Sequence, residues 1–363
     1  MTATETAPRK GTLPIRAVRI GRVSFRLNLR VVVVAAVMAA ALLGAMALHV
    51  AFGGTPLPYP DVLRALLGDT TNPRTHLAVT EFRAPRMVAA VVVGASLAAA
   101  GAITQTVARN PLASPDLLGV TAGASLGAVT VLVIAGGGHA GLSGIAATVG
   151  MPAAAFAAGI VSGVAVYLLA YRRGLDSYRL VLAGLGITGL ATSLTTWILT
   201  LGDVTSAAQA LTWMTGSLNG KDWATVQPMA IAAVVLILAA VARGRWLLLT
   251  GFGEDTVVGL GVRIGAVRLT VLTIAVLLAS IATVTAGPVA FVALASPQIA
   301  RSLTAGVTPP VGVSALVGAV FVLLADTVSA NALAVPLPVG VATAVLGAPF
   351  LIHLLLKYQR RLS

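Results

Sequence analysis

Cysteine is absent from this chain of 363 residues, and acidic residues are scarce, with 11 Asp and Glu against 24 Lys and Arg. Without cysteine the chain forms no disulfide, thiolate metal site or cysteine nucleophile. Charged residues make up only 10% of the sequence, whereas a soluble protein carries about a quarter. Because 58% of the residues are hydrophobic and the mean hydropathy is +0.97, we expect lipid to be the solvent of this chain.

The motifs of nucleotide-binding and catalytic proteins are also missing. No Gly-x-x-x-x-Gly-Lys-Ser/Thr loop occurs, so we expect no ATP hydrolysis by the chain alone. The segment 184–189 matches the dinucleotide fingerprint, but it lies inside an apolar helix pattern with no strand before it. The four histidines have no metal-ligand spacing, and aromatic residues are not interleaved with the basic runs. We therefore expect no enzyme activity, no cofactor, no metal site and no nucleic-acid partner.

Ten apolar segments predict an all-α polytopic membrane protein, since a membrane helix needs about 20 apolar residues. The segments cover residues 31–53, 86–107, 117–136, 147–171, 180–202, 224–242, 269–286, 288–300, 311–330 and 338–356. The eighth is short for a span, so we expect it to be buried against other helices.

The distribution of basic residues predicts the orientation, because Lys and Arg are retained in the cytoplasm. With the N-terminus inside and ten spans, nineteen of the 24 Lys and Arg residues fall on the cytoplasmic side. This predicts a mobile basic cytoplasmic tail over residues 1–30, a single transmembrane domain over 31–356 and a basic cytoplasmic C-terminus over 357–363.

A short sequence that occurs twice in similar form is weak evidence for an internal repeat. The sequence Leu-Ala-Ser-Pro-Asp at 112–116 returns as Leu-Ala-Ser-Pro-Gln at 294–298, each after an Ala-Gly pair. The second and seventh candidate spans are five spans apart, which is an odd number, so related halves would have opposite orientations, as in inverted-repeat transporters. Chance similarity in a chain rich in Ala, Leu and Pro is the alternative.

Small residues predict close helix packing. Helices in lipid gain little from burying apolar surface against each other, so close van der Waals contact must hold them together. Gly119, Gly123 and Gly127 recur every four residues on one side of their helix. Gly184 and Gly189 are expected to do the same in the fifth span.

Polar residues near the predicted outer surface have two readings each. Asp326 is the one carboxylate placed inside a span, which suggests either proton or sodium coupling or an ion pair near a helix end. Arg83 and Arg86 flank Ala84-Pro85 at the outer end of the second span. They either snorkel to the interface or contact an acidic surface on a soluble partner.

The cytoplasmic loop contains a candidate docking helix at 253–262. Two acids, an apolar pair and closing glycines predict a short helix with a negative first turn. Such a helix lies on lipid or docks into a partner, and its spacing alone does not distinguish the two.

Four motifs together resemble the FecCD/BtuC-like permease family of iron-siderophore and cobalamin ABC importers. They are Arg-Ala-Pro-Arg at 83–86, Asn-Pro-Leu-Ala-Ser-Pro-Asp-Leu-Leu-Gly at 110–119, the segment 253–262 and the end 337–350. The second motif includes Asn110, Pro111, Leu112, Pro115, Asp116 and Gly119. The resemblance implies ten helices, a bacterial cytoplasmic membrane and a pair of permease subunits. It also implies two cytoplasmic ATPase subunits and an extracytoplasmic binding protein.

The resemblance also implies roles for particular residues. The ATPase-coupling element would comprise Gly253, Glu254, Asp255, Val258, Leu260 and Gly261. Arg83 and Arg86 would meet a carboxylate on the binding protein, and substrate would cross along the seam between the two permease subunits.

Departures from the family pattern shape the expected partner and substrate. The segment 325–331 lacks the arginine of the family's Ala-Asp-x-x-x-Arg pattern, so we expect a second, non-identical permease subunit. The segments 114–120, 213–223 and Gln298 resemble the siderophore branch. Import of cobalamin or haem by the same architecture, or ion-coupled secondary transport centred on Asp326, remains the alternative.

Overall fold

The computed structural model describes residues 15–20, 23–52, 57–136, 150–171, 177–250, 257, 259, 261–331 and 337–359. Helices α1 to α7 are Leu29–Ala51, Tyr59–Leu66, Pro73–Leu77, Ala84–Val107, Val120–Gly136, Met151–Ala170 and Ser177–Leu201. Helices α8 to α14 are Val204–Met214, Trp223–Ala242, Gly244–Leu249, Ile264–Ala286, Val292–Thr304, Val311–Asn331 and Val339–Gln359. A π-helical stretch, Ala78–Arg83, joins α3 to α4, and a 3-10 turn, Pro115–Leu118, precedes α5.

Ten of these helices coincide with the ten predicted spans. Seven described helical stretches are long and apolar enough to cross a membrane, and α5 and α14 contribute shorter apolar helices. Helix α12 has 13 residues and buries much of its surface against its neighbours, as predicted for the short eighth segment, although it begins at Val292 rather than at 288. The all-helical membrane fold predicted from the sequence is confirmed.

The N-terminal tail differs from the prediction of a wholly mobile segment. Strands β1 (Ile15–Ile20) and β2 (Val23–Asn28) pair antiparallel, with Ile15 opposite Asn28 and Ile20 opposite Val23. Apolar and polar residues alternate along β2, whose sequence is Val-Ser-Phe-Arg-Leu-Asn, as in a strand with one apolar face, whereas β1 shows no such alternation. The Asn28 side chain then caps α1 by accepting from the amide of Arg30 at 3.1 Å.

Burial separates the central helices from the peripheral ones. In the most apolar window of each helix, 83% of residues are buried in the stretch that contains α4, 72% in α11 and 67% in α13. The corresponding share is 6% in α1 and 17% in both α7 and α9. Helices α4, α11 and α13 therefore form the core, while α1, α7 and α9 present large apolar surfaces.

Glycines allow the core helices to approach within backbone contact. A Cβ on Gly94 of α4 would lie 2.2 Å from the carbonyl oxygen of Gly318 in α13, and a Cβ on Gly318 would lie 2.3 Å from that of Gly94. A Cβ on Gly101 would lie 1.8 Å from the carbonyl oxygen of Ala293 in α12. Such thin faces provide the van der Waals contact that holds helices together in lipid.

The glycine predictions for the outer helices are confirmed in part. Gly123 and Gly127 of α5 face Ser162 and Ala154 of α6 at distances that leave no room for a side chain, and Gly184 of α7 faces the carbonyl of Leu117. The prediction for Gly189 is wrong within the described residues, because none of their atoms lies within 4 Å of its Cβ position.

Aspartates cap the N-termini of α8 and α9, the two helices that follow α7. Asp203 accepts from the amide of Ser206 at 2.8 Å, and Asp222 accepts from that of Thr225 at 3.0 Å. Hydrogen bonds from Thr225 lower the pKa of Asp222 below its usual value, because they stabilise the carboxylate. The indole of Trp223 donates to the carbonyl of Thr80 at 2.8 Å, which joins the start of α9 to the entry of α4.

Candidate functional site

An ion-pair cluster joins α1, α4 and α13 at the first turn of α4. Both carboxylate oxygens of Asp326 in α13 accept from the Arg86 guanidinium, at 2.7 and 2.8 Å. The Nε2 atom of His49 in α1 lies 2.9 Å from Asp326 Oδ2. Asp326 is 1% exposed, so this compensation is what allows a charge at that depth.

Arg83 lies beside this cluster and is itself buried. Its guanidinium donates to the carbonyl oxygens of Val50 at 2.7 Å and Ala51 at 3.3 Å, which are the last residues of α1. A cation at this position also neutralises the negative end of the α1 dipole. A cavity of about 270 Å³ adjoins the cluster and is lined by His49, Ala78, Phe82, Arg83, Arg86, Thr327, Ala330 and Asn331.

Both predicted docking arginines thus have structural partners inside the protein. Arg86 holds α4 to α13, and Arg83 holds α4 to α1. Their role toward a soluble partner stays a prediction, and any carboxylate that reached them would enter through the cavity that they line.

The motif at 110–119 forms a tight turn between α4 and α5. Asn110 caps it by accepting from the amide of Leu112 at 2.9 Å, and the carbonyl of Asn110 accepts from the amide of Ala113 at 3.1 Å. Pro111 and Pro115 suit this geometry because they fix φ and need no amide donor. Asp116 accepts from the hydroxyl of Thr121 at 2.6 Å and so ties the 3-10 turn to α5.

Gly119 ends the turn in a conformation that favours glycine. Its φ is 67°, a left-handed value that an L side chain adopts at a cost of about 1–2 kcal/mol. Its carbonyl accepts from the Ser162 hydroxyl at 2.7 Å. With Gly184 of α7 packed on the carbonyl of Leu117, the turn contacts α5, α6 and α7 together.

A pair of glutamines joins this turn to α12. Gln298 and Gln105 are both 4% exposed, and the Gln298 amide donates to the side-chain oxygen of Gln105 and to the carbonyl of Pro111 at 3.3 Å. The Gln105 amide in turn donates to the carbonyl of Leu294 at 3.1 Å. The segment 294–298 therefore contacts Gln105 and Pro111, which precede the similar segment 112–116. The two segments differ in structure, because 115–118 is a 3-10 turn and 294–298 lies within α12. An inverted repeat stays a prediction.

Arg109 connects the turn to the start of the candidate coupling segment. Its backbone is left-handed, with φ 52°, and its Nε donates to the carbonyl of Thr250 at 3.1 Å. Thr250 is fully buried and caps α10, and Leu247 of that helix packs in the same apolar cluster as Ile103 and Val107 of α4. From the sequence, Arg109 counted only among the basic residues that predict the orientation of the chain. Its position immediately before the Asn-Pro turn was the signal for a structural role.

Most of the predicted coupling element lies outside the described residues. This applies to Gly253, Glu254, Asp255, Val258 and Leu260. Gly261 is described and has φ 75°, a backbone conformation for which glycine is suited. Among the residues that the structure describes, no cluster of His, Asp or Glu could hold a metal ion.

Comparisons with known proteins agree with this architecture. The chain is 38% identical over 311 residues to the ferric enterobactin transport system permease protein FepG of Escherichia coli (strain K12). This match covers 85% of this chain and 91% of FepG. It is 35% identical over 346 residues to the achromobactin transport system permease protein CbrC of Dickeya dadantii (strain 3937). This match covers 94% of this chain and 96% of CbrC. It is 35% identical over 297 residues to the iron(3+)-hydroxamate import system permease protein FhuG of Bacillus subtilis (strain 168). This match covers 81% of this chain and 88% of FhuG.

A solved structure shares the fold. It is a metal-chelate type ABC transporter in an inward-facing conformation, with a TM-score of 0.72 at 22% identity, and the match covers 90% of this chain and 99% of that chain. The family model of the FecCD transport family matches residues 26–357. With relatives above 30% identity along most of its length, this chain belongs to the FecCD transport family.

Proposed function

We propose that this chain is the transmembrane permease subunit of an ATP-driven importer for ferric siderophores. It forms the translocation path with a second, non-identical permease subunit and is powered by two cytoplasmic ATPase subunits. An extracytoplasmic binding protein delivers the iron chelate. Both termini lie in the cytoplasm of a bacterial cell, where basic residues concentrate.

The observation that carries this proposal is the similarity of this chain to known permease proteins along nearly their whole length. The relatives FepG, CbrC and FhuG are permease proteins whose names specify ferric enterobactin, achromobactin and iron(3+)-hydroxamate. The chain spans about nine tenths of the length of each. These are chemically different iron chelates, so the shared fold supports a path that accepts bulky chelates, with selection by the binding protein.

The proposed coupling to ATP hydrolysis runs through residues 253–262. The chain that leads into this segment is anchored by the bond from Arg109 to Thr250. Movement of the segment by the ATPase subunits would therefore act directly on α4 and on the turn at 110–119, as well as on the flanking α9 and α11. Deletion of 254–260 should leave the protein in the membrane and remove ATP-driven uptake.

The proposed docking of the binding protein uses the outer ends of α1, α4 and α13. Arg83 and Arg86 line the cavity there, and a carboxylate from the binding protein would find two cations fixed by their contacts with α1 and α13. Arg83→Glu should weaken that docking, and normal affinity of the variant for the binding protein would reject the role.

Ion-coupled secondary transport has less support. Such a mechanism needs an acid that binds and releases a cation, whereas both oxygens of Asp326 already accept from the Arg86 guanidinium. Proteoliposomes that contain this chain, its partner permease and the ATPase subunits, together with the binding protein, test both functions. Uptake of a ferric siderophore that requires ATP supports the proposal, whereas uptake driven by a proton or sodium gradient without ATP would refute it.

A further inference from the structure

An open groove with a volume of about 340 Å³ lies where α9 ends and α11 begins. Its lining combines the apolar residues Val262, Val267 and Val271 with Arg243, Arg263 and Trp246. No carboxylate lines the groove among the described residues. The site therefore combines two cations with apolar side chains.

The two arginines at the groove have side chains without described partners. Arg243 and Arg263 are exposed, and neither guanidinium forms a hydrogen bond or ion pair with any residue that the structure describes. This distinguishes them from Arg109, which donates to Thr250. Two guanidinium groups at one groove suit a phosphate, because each presents donors in a fork that matches its oxygens.

The surroundings of the groove place it at the level of lipid headgroups. Helix α9 ends at Ala242 and α11 begins at Ile264, so the groove lies at the ends of two apolar helices. Trp246 is 44% exposed there, as interfacial Trp residues are. Near the end of α9, Leu238 at 62% and Val241 at 48% exposure offer apolar surface.

We propose that this groove binds the phosphodiester headgroup of an anionic phospholipid from the cytoplasmic leaflet. Arg243 and Arg263 hold the phosphate, Trp246 packs beside the glycerol region, and the acyl chains follow the exposed side chains of α9. Basic pockets between membrane helices on the cytoplasmic side have the chemistry that recognises such lipids. The proposal does not rest on the transport function, and its test needs no ATPase subunit.

The test measures the preference of the purified full chain for phosphatidylglycerol over phosphatidylcholine. Trp246 serves as the reporter after Trp197, Trp213 and Trp223 are replaced by Phe, and quenching by each lipid with brominated acyl chains gives the relative affinity. We expect Arg243→Gln and Arg263→Gln each to lower the preference by about fivefold. Arg245→Gln is the matched control, because it removes a charge from α10 outside the groove lining and should change the preference less than about twofold.

Native mass spectrometry of the unaltered chain and of the same arginine variants provides a second measurement that needs no Trp replacement. We expect bound phosphatidylglycerol on the wild type and on Arg245→Gln, and its loss from Arg243→Gln with Arg263→Gln combined. Melting temperatures of all variants establish that they are folded. A double variant that keeps the wild-type preference, or an equal loss in Arg245→Gln, would overturn the site.

Two other occupants have distinct outcomes. Quenching by brominated phosphatidylglycerol that inorganic phosphate abolishes at constant ionic strength would identify a soluble anion and refute the lipid assignment. Unchanged lipid preference in variants that fail to bind the ATPase subunits would assign both arginines to a protein contact instead.

Discussion

The contact between Gly94 and Gly318 allows a sharp test of how the core of this protein is held together. Each glycine places its hypothetical Cβ within 2.3 Å of the other's carbonyl oxygen, and Gly318 also faces the Cβ of Ala98 at 2.4 Å. We predict that Gly94→Ala forces α4 and α13 apart. To bring the closest of these contacts to the 3.4 Å at which ordinary packing begins, the helices must separate by about 1 Å.

The expected change in the free energy of unfolding is the balance of competing effects. Overpacking a well-packed core typically destabilises by about 1–3 kcal/mol, and a gap of 0.5–1 Å forfeits a quarter to a half of the dispersion energy of the atoms on either side. Against this, alanine is favoured over glycine in a helix by roughly 1 kcal/mol. Because α4 and α13 pack along much of their length, we expect the loss to dominate, with a net destabilisation of about 1–2 kcal/mol.

The assay is thermal unfolding of the purified protein at one fixed heating rate, because membrane proteins often unfold irreversibly. We expect Gly94→Ala to lower the melting temperature by about 2–6 °C, and Gly318→Ala to do the same. Gly44→Ala is the matched control, since Gly44 lies in α1 and no atom of the described residues is within 4 Å of its Cβ position. Equal melting temperatures for Gly94→Ala and Gly44→Ala would refute the close-approach argument.

Three further changes test the ion-pair cluster around Asp326 and the turn at 110–119. Asp326→Ala should destabilise by about 2–4 kcal/mol because it leaves the Arg86 charge partly buried without its partner, and adding Arg86→Gln should recover part of the loss in melting temperature; no recovery would contradict the pairing. Gly119→Ala should be more destabilising than Gly220→Ala, because both have φ 67° but only Gly119 faces Ser162 and Ile187 within about 3 Å; equal melting temperatures would show that the Ser162 contact contributes nothing. Arg109→Ala should lower chelate uptake per ATP hydrolysed by about tenfold through loss of a charge-assisted hydrogen bond, while Arg109→Lys keeps part of it; an unchanged ratio of uptake to ATPase activity would rule out the link.

Apolar length predicted the fold well because it follows from the thickness of the bilayer alone. The orientation predicted from the basic residues stays a prediction. All ten predicted segments coincide with helices, and even the short eighth segment was correctly expected to be buried. The N-terminal hairpin was missed because a polar, basic stretch with Gly and Pro gives no core to bury. Its two strands pair with each other, and such pairing depends on register rather than on composition.

The candidate site was predicted as a set of residues but not as a set of contacts. Asp326, Arg83 and Arg86 were each singled out, yet nothing in the sequence indicated that His49, 277 positions from Asp326, completes the cluster. Gln105 and Arg109 were missed for the same reason, since their partners lie on α12 and α10. Gly189 shows the opposite error, because helical spacing identifies a face without saying whether another helix covers it.

Helix α4 connects the two regions that the proposed transport cycle must coordinate. Its first turn carries Arg86 of the ion-pair cluster around Asp326, and its last turn leads to Arg109 beside the coupling segment. Its 24 residues span about 36 Å. The glycines that could let it bend, Gly94 and Gly101, both contact the backbone of neighbouring helices and have no free space.

A helix so confined should move as a rigid body together with α13, and the absence of cysteine makes this measurable with two introduced spin labels. We predict that the distance between labels at Phe82→Cys and Leu112→Cys, near the two ends of α4, stays constant through the ATP cycle of the assembled importer. The distance from Phe82→Cys to Leu190→Cys on the peripheral helix α7 should change, because α7 buries little of its surface against the core. An equal change in both distances would show that α4 bends. A displacement at Thr250 would then not be transmitted through α4 to Arg86 and Asp326.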